Sequence, residues 1–400
     1  MTTAIRLRRN ALFAMFFLPG IGISSWVTRT PDVRVLLDAR IDEMGFVLLG
    51  LSLGSMIGIL SSAPLVSRLG TRPVIAAGTL TLALGVAVIG LGTAFGASPV
   101  VAMGLGLFGL GMGGGEVALN VEGAEVEQAM GRSVMPLMHG FFSLGTVAGA
   151  IAGMLLTAVA FPVVLHLVIV SVIVVAGLVV AIRGIPAGIG RRPVVRDDSS
   201  TRAATAPRPA VWRDPGLLLV GGIILALAMA EGTANDWLPL VMVEGHGLDA
   251  ALGSAVYVIF AASMTAGRFA GGWFVDRFGR AAVLGASAFL GAVGLAVVIF
   301  VDHQGAAAAA VVLWGLGASL GFPVALSAAG DSGEDTAARV SFAATIGYVA
   351  FLVGPPVLGL LGERFGLRQA MIVVLVLVGA AVFLAPAART KAERELRAVR

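Results

Sequence analysis

The chain has 400 residues, of which 58% are hydrophobic and only 12% are charged, and its mean hydropathy is +0.97. A soluble domain carries about 25% charged residues, so this composition excludes a soluble protein. The 55 glycines and 17 prolines are scattered through apolar segments, as packed membrane helices allow. The composition therefore indicates an integral membrane protein.

The chain contains no cysteine, and 26 of its 27 basic residues are arginine. The absence of cysteine excludes disulfides, thiolate metal sites and thiol nucleophiles. The net charge of +4 would suggest nucleic-acid binding in a soluble protein. In so apolar a chain, the position of the arginines relative to the membrane explains the charge better. We expect no nucleic-acid partner and no metal.

The N-terminal segment, 1–22, has three arginines before an apolar core, which is the pattern of a signal peptide. No small-x-small cleavage site follows, and many further apolar segments come after it. We therefore predict that it is an uncleaved first membrane helix.

Twelve segments are long and apolar enough to be membrane helices, because about 20 apolar residues cross the hydrocarbon core. None shows the period-two alternation of a barrel strand. The predicted fold is an all-α membrane protein with two bundles of six helices. The predicted spans, numbered 1 to 12 in chain order, are 10–29, 44–66, 73–95, 99–121, 135–159, 162–182, 216–241, 250–272, 281–301, 306–328, 340–361 and 368–387.

A polar segment rich in proline and arginine separates the two groups of spans. It has no apolar face to bury, which predicts a poorly ordered linker. We therefore divide the chain into an N-terminal six-helix bundle (1–183), a cytoplasmic linker (184–214), a C-terminal six-helix bundle (215–388) and a cytoplasmic tail (389–400).

The basic residues favour one side of the membrane. If the N-terminus is inside, 21 of them lie in cytoplasmic segments, five lie outside and Arg268 lies within span 8. Such a bias predicts a multi-pass protein of the cytoplasmic (inner) membrane with both termini and the linker in the cytoplasm.

The two groups of spans are related by an internal repeat. Residues 107–117 align with the segment that begins at 313, at an offset of 206. Residues 63–73 align with 272–280 at an offset of 209. Two parallel halves imply a pseudo-two-fold axis along the membrane normal, with the central cavity between them.

A short motif in the loop between spans 8 and 9 carries a family resemblance. The sequence there fits G-x-x-x-D-R-x-G-R, and with twelve spans and a long linker it resembles the major facilitator superfamily. The matching residues are Gly272, Asp276, Arg277, Gly279 and Arg280. In that family the motif belongs to a gate, and we assign the gating role to these residues and to Arg268.

The equivalent loop between spans 2 and 3 keeps only part of the motif. Arg68, Gly70 and Arg72 are present, but Ala63 and Ser67 replace the usual glycine and aspartate. The gate of the N-terminal half is therefore expected to be weaker, or to be held by other residues. Within the superfamily, residues 231–237 and 131–145 look like the fucose-permease-like branch.

Charged side chains at mid-helix cost about 2.5–3.5 kcal/mol in lipid, so each one needs a reason. Glu116 and Asn120 lie one turn apart in span 4, and Glu231 and Asn235 lie one turn apart in span 7. Each pair shares a helix face. Asp236 lies about 140° from Glu231 around the helix.

These acids have two interpretations. Either Glu231, Glu116 or Asp236 takes up a proton and releases it on the other side, or each is a permanently paired structural carboxylate. Intramembrane acids are functional by default, which favours the first. The side chains beside them, Asn235 and Asn120, are candidates for substrate binding.

Other polar side chains of the spans are assigned mainly structural roles. Glu122, Glu125 and Glu127 are interpreted as a solvated helix end. His139 either shares a proton with an acid of span 4, and is then a candidate for the substrate site, or fixes the interface. His166 has no evident partner in the sequence.

Arg268 has two possible roles of its own. It is expected to pair with an acid of the gate network, with anion binding as the alternative.

Three tryptophans are candidates for contact with a substrate ring. Trp26 and Trp237 occupy equivalent positions in spans 1 and 7, and Trp314 aligns with Phe108 through the repeat. The alternative for Trp26 and Trp237 is a tryptophan of the interfacial belt.

The predicted function is secondary active transport of a small solute by alternating access, and not enzyme catalysis. Proton coupling is expected because acids are buried and no Walker lysine motif is present. The family resemblance implies symport of a sugar-like or polar metabolite; the alternative is proton-driven efflux of amphipathic compounds or drugs. A receptor or an intramembrane enzyme is a third possibility. The expected partners are the substrate, protons and the lipid bilayer, with no cofactor and a monomeric protein.

Overall fold

A computed structural model describes residues 3–131, 134–191, 211–330 and 336–389. Within these ranges, twelve helices are long and apolar enough to cross a membrane, which confirms the all-α fold with twelve spans. In chain order they are Thr3–Val27, Ile41–Leu69, Thr71–Ala94, Ser98–Met130, Met135–Ala158, Val163–Gly184, Pro215–Gly245, Ala250–Phe278, Arg280–Phe300, Gln304–Gly330, Ala338–Phe365 and Leu367–Ala388.

Span 4 is longer than its apolar segment, and its extension corrects one interpretation of the sequence. Glu122 is fully buried, where a solvated helix end was expected. Arg8 Nε and Thr71 Oγ1 each donate to its carboxylate at 2.6 Å. This buried acid therefore ties the starts of spans 1 and 3 to the end of span 4. Glu125, by contrast, is exposed.

A short helix, Thr30–Leu36, connects spans 1 and 2. Arg29, just before it, is 1% exposed and donates from Nε to His166 Nδ1 at 3.1 Å. Arg29 Nη1 also forms an ion pair with Asp32 Oδ2 at 2.8 Å. His166 thus has a partner that its sequence neighbourhood did not reveal, and it joins span 6 to the turn after span 1.

Glycines bring the spans within each half to backbone contact. A Cβ atom at Gly54 of span 2 would lie 2.0 Å from the Gly106 carbonyl oxygen of span 4. In the second half, a Cβ atom at Gly317 would lie 2.5 Å from the Gly291 amide. Such close approach replaces the hydrophobic driving force that helices lack in lipid.

Because each half has six spans, the start of span 1, the end of span 6, the start of span 7 and the end of span 12 lie on one side of the bundle. We call this the terminus side and the opposite face the far side. The halves meet through spans 2 and 11 and through spans 5 and 8.

The halves are in close contact at the far side. A Cβ atom at Gly45 of span 2 would lie 2.7 Å from the Pro355 carbonyl oxygen, and one at Gly359 would lie 2.9 Å from Gly45 Cα. Ser254 Oγ donates to the Thr28 carbonyl at 2.7 Å. Glycine-to-backbone contacts, the Ser254 hydroxyl and the Arg34–Glu244 ion pair together close the far side.

Asp214 fixes the start of span 7. Its Oδ1 accepts from the Gly216 and Leu217 amides at 2.8 and 3.2 Å, and its Oδ2 accepts from Arg339 Nη2 at 2.6 Å. The hydrogen bond from Arg339 is the largest cause that holds the pKa of Asp214 below its ordinary value of 3.8, and backbone amides add to it. The Asp214 carboxylate thus caps the start of span 7 and pairs with Arg339 of span 11.

We expect Asp214→Asn to keep the cap and lose the ion pair, and Asp214→Ala to lose both. Loss of an N-cap lowers the free energy of unfolding by about 1 kcal/mol, so alanine is expected to be the less stable variant. Because the folded-state pKa is lowered, the carboxylate stabilises above its unfolded pKa, and this stabilisation is lost as pH falls through the folded value. Thermal unfolding in detergent is the measurement. The deficit of the asparagine variant is expected at pH 7 and should shrink below about pH 4; a constant deficit would contradict the assignment.

Candidate functional site

An ion pair of span 7 and span 8 lies at mid-depth between the halves. Arg268 Nη2 donates to Glu231 Oε1 at 2.7 Å, and the two side chains are 26% and 15% exposed. Arg268 Nη1 also lies 3.4 Å from Ser143 Oγ of span 5, in the other half. Arg268 therefore pairs with an acid of span 7 and not, as expected, with an acid of the gate network. The acid is the predicted proton carrier itself, and the pair adjoins the boundary between halves.

The packing of span 8 explains the position of Arg268. Gly267 and Gly271 face span 10, where a Cβ atom would lie 2.3 Å from Ser319 Oγ and 2.2 Å from a Leu320 methyl carbon, respectively. This close contact fixes the rotation of span 8. Arg268 directly follows Gly267, so its side chain projects about 100° around the helix from Gly267 and points away from span 10.

Glu116 of span 4 lies across from this pair. Its side chain is exposed, and its charge interacts with those of Arg268 and Glu231. It makes no hydrogen bond or ion pair with any residue that the structure describes. Glycines place it there, because Gly111 and Gly113 pack against the backbones of spans 3 and 2. The two acids assigned to coupling thus face one another.

The amides one turn from each acid differ in their contacts. Asn235 Oδ1 accepts from Tyr257 Oη at 2.9 Å, and Tyr257 is fully buried. Asn120 is half-buried, and its Oδ1 has no hydrogen-bond partner among the described residues. The asparagine of the span 7 pair is therefore held by a hydrogen bond, whereas Asn120 Oδ1 of the span 4 pair is enclosed without one among the described residues.

Sequence reasoning missed two tyrosines that lie close to these residues, Tyr257 and Tyr348. We call the whole group the central cluster; its other members are Glu116, Asn120, Glu231, Asn235 and Arg268. The charge of Glu116 also acts on Tyr348 of span 11. A signal was available, because these are the only two tyrosines in the sequence and both fall within predicted spans. A phenol in lipid usually needs a hydrogen-bond partner.

His139 lies at the edge of the cluster. It is half-buried and packs edge-on against Phe16 with ring centroids 5.1 Å apart. The charge of Arg268 reaches its ring. Its contacts fit the role of fixing the interface between spans 1 and 5.

The three candidate tryptophans are not in the cluster. Trp26 is 1% exposed, and Trp237 and Trp314 are fully buried. Trp314 Nε1 donates to the Ala230 carbonyl at 3.1 Å, and its ring packs against Phe260. In this conformation they form helix contacts, because large rings fill the space that small residues leave between spans.

Asp236 is 7% exposed and lies away from Glu231 on the helix. It makes no hydrogen bond or ion pair with a described residue, although its charge acts on Tyr257. It lies on a different face of span 7 from Glu231.

The loop motif lies on the terminus side. Gly279 has φ +78° and Gly70 has φ +88°, so each glycine supplies a left-handed turn between two spans. Asp276 and Arg277 are exposed, as are Gly272 and Arg68. Asp276 makes no hydrogen bond or ion pair within the described part of the chain. Arg72 and Arg280 are half-buried beside them.

Comparison with known proteins fits this arrangement. The family model described as "Major Facilitator Superfamily" matches residues 117–347. The uncharacterized transporter y4wD of Sinorhizobium fredii (strain NBRC 101917 / NGR234) is 31% identical over 380 residues, covering 93% of this chain and 96% of that protein. The chain belongs to the major facilitator superfamily. It is a transporter, not an enzyme, and a multi-pass membrane protein.

Solved superfamily structures share the fold at low identity. A mutant form of the nucleoside transporter NupG has a TM-score of 0.76 and 14% identity, covering 95% of this chain and 99% of that one. FucP, described as the E. coli fucose:proton symporter, has in its outward conformation a TM-score of 0.64 and 16% identity, covering 97% and 100%. FucP is therefore among the structures that share this fold.

We expect Tyr257→Phe to slow transport by this superfamily member without unfolding it. The variant loses the hydrogen bond to Asn235, worth about 1 kcal/mol, which is roughly a fivefold effect. Initial uptake rates in proteoliposomes provide the measurement. A double-mutant cycle with Asn235→Ala supplies the control. Additive effects of the two substitutions would show that the tyrosine does not act through Asn235.

Proposed function

We propose that the chain is a proton-coupled secondary transporter that takes up a small polar organic solute by alternating access. The observation that carries the proposal is the Glu231–Arg268 pair at mid-depth, with Glu116 opposite it. A permanent structural pair would not need a second, unpartnered acid in the same space. The likeness in fold to FucP, a fucose:proton symporter, supports symport as the mode.

In this proposal Glu231 carries the coupled proton. Protonation removes the negative charge that holds Arg268, because an ion pair needs both charges. The guanidinium is then free to strengthen its contact with Ser143, which lies 3.4 Å away in the other half. A proton would thereby change the contact between halves. Asp236 is given no role in this step because it lies on a different face of span 7 from Glu231.

We further propose that residues 1–183 and 215–388 move as the two bodies, with 184–214 as linker and 389–400 as tail. The arginine bias supports placing the terminus side in the cytoplasm of a cell with an inner membrane. The structure then corresponds to a state closed to the outside. Exposed Asp276 fits a loop gate that is released in this state and engages when the terminus side closes.

The test is proton movement in proteoliposomes, followed with a pH-sensitive dye while single solutes are added. Sugars, other polar metabolites, amines, organic acids and hydrophobic cations form the panel. A solute that moves protons in its own direction establishes symport. Opposite movement would replace symport by proton-driven efflux, and solute transport without proton movement would refute coupling.

A further inference from the structure

The halves meet along a seam between spans 2 and 11, which run in opposite directions. At the far-side end of the seam, Glu363 Oε2 accepts from the Ile41 amide at 3.0 Å. Farther in, Gly45 packs against the backbone of span 11. Deeper still, Ser52 Oγ donates to the Phe351 carbonyl of span 11 at 2.7 Å. Ser52 follows Ile41 by eleven residues, so this bond lies about 16 Å inside the far-side end, near mid-depth.

Proline explains why the Phe351 carbonyl is able to accept this bond. In an α-helix that carbonyl would accept from the amide of residue 355. Residue 355 is Pro355, which has no amide hydrogen. It lies inside the continuous helix of span 11, so the carbonyl lacks its usual donor. A backbone acceptor left unpaired within a membrane is costly, and Ser52 of the other half supplies the missing donor.

The Ser52 hydroxyl donates in an unusual direction. A serine or threonine inside a helix ordinarily donates to a carbonyl three or four residues back, as Ser61 of the same span does. Ser52 donates across the boundary between halves instead. The seam between spans 5 and 8 differs, because Thr265 lies 3.5 Å from the Ser143 carbonyl but donates to a carbonyl of its own span at 2.7 Å.

We infer that Ser52 is a positioning residue that holds the far side closed through the carbonyl that Pro355 leaves unpaired. When the far side opens, spans 2 and 11 separate, the hydrogen bond is lost and the carbonyl gains access to water. The bond therefore stabilises only the closed state and shifts the equilibrium toward it. This inference rests on the alternating access of the proposed function, but neither on proton coupling nor on the identity of the solute.

Alkylation of a buried cysteine measures the open fraction, since the chain has no cysteine of its own. Leu48 is fully buried and lies between Gly45 and Ser52 on the seam face of span 2. In the full chain in nanodiscs, Leu48→Cys should react with a water-soluble maleimide only when the far side opens. At low reagent concentration the rate follows the open fraction. We expect Ser52→Ala to raise this rate roughly 2- to 12-fold, as loss of one hydrogen bond implies.

Restoring the backbone donor tests the chemistry of the latch. Pro355→Ala returns an amide hydrogen to the Phe351 carbonyl, so in this background Ser52→Ala should change the rate by less than about twofold. Ser61→Ala removes a hydroxyl that is bonded within span 2 and should leave the rate unchanged. Equal acceleration by Ser52→Ala with and without Pro355, or no acceleration at all, overturns the inference.

A second reporter separates opening from unfolding. Val174 of span 6 is fully buried, and span 6 packs against spans 1 and 3 of its own half. Val174→Cys should therefore react on unfolding and not on opening of the far side, and Ser52→Ala should leave its rate unchanged. A parallel rise at both reporters would trace the acceleration to unfolding and reject the latch.

The two proposals fail differently. Solute-driven proton movement, with no effect of Ser52→Ala on the Leu48→Cys reporter, would retain the proposed function and reject the latch. Acceleration that Pro355→Ala removes, without solute-driven proton movement, would retain the latch and reject proton coupling.

Discussion

Glu231→Gln is expected to abolish accumulation of the substrate against a gradient while leaving exchange of substrate across the membrane intact. Glutamine keeps the size of the side chain but cannot carry the proton. Accumulation that depends on the proton gradient should fall to the equilibrium ratio of about one, because a transporter without coupling can only equalise concentrations. Uptake and counterflow in proteoliposomes with an imposed pH gradient measure the two properties separately.

The matched control is Glu125→Gln, since Glu125 is an exposed acid near the terminus-side end of span 4. It should accumulate substrate like the original chain. A second control, Glu231→Gln with Arg268→Gln, removes the uncompensated guanidinium that the single variant leaves in the site. The double variant should regain stability but not accumulation. Undiminished accumulation by Glu231→Gln would exclude this residue as the proton carrier.

Gly45→Ala is expected to shift the protein toward the state that is open at the far side. The added Cβ would lie 2.7 Å from the Pro355 carbonyl oxygen and 3.1 Å from Gly359 Cα, both backbone atoms that cannot rotate away. Overpacking of this kind costs about 1–3 kcal/mol, which corresponds to a shift of roughly 5- to 150-fold in the closed-to-open ratio.

The absence of native cysteine makes this shift easy to measure. Spin labels on Val35→Cys and Leu252→Cys, two exposed positions at the far side of opposite halves, report the separation between them. The distance distribution of Gly45→Ala should gain a longer component. Gly379→Ala is the matched control, because a Cβ there meets nothing within 4 Å. An unchanged distribution would mean that the glycine contact does not hold the far side closed.

The number and type of spans followed from the sequence because lipid leaves a chain few choices, and a continuous apolar segment must be helical. The end of span 4 did not follow. Glu122 is polar in the sequence, and only the approach of Arg8 and Thr71 from other spans makes its burial possible. Hydropathy describes a segment in isolation and contains no information on such partners.

The acids of the candidate site could also be predicted from the sequence, but their partners could not. Glu116 and Glu231 could be identified because charge is rare in lipid. The partner of Glu231 could not be assigned, because the contact depends on how spans 7 and 8 are rotated. The repeat aligned Trp314 with Phe108, but it could not show that packing buries the Trp314 ring against Phe260.

The closure at the far side has a thermodynamic consequence. Its contacts are glycine against backbone, a serine hydroxyl on a carbonyl and the ion pair between Arg34 and Glu244. Separating these particular contacts exposes polar and backbone atoms. Since the heat-capacity change of a transition follows the apolar area it exposes, the opening step should have a small one. The enthalpy and entropy of opening would then be nearly constant with temperature, so the logarithm of the closed-to-open ratio should be a straight line against reciprocal temperature.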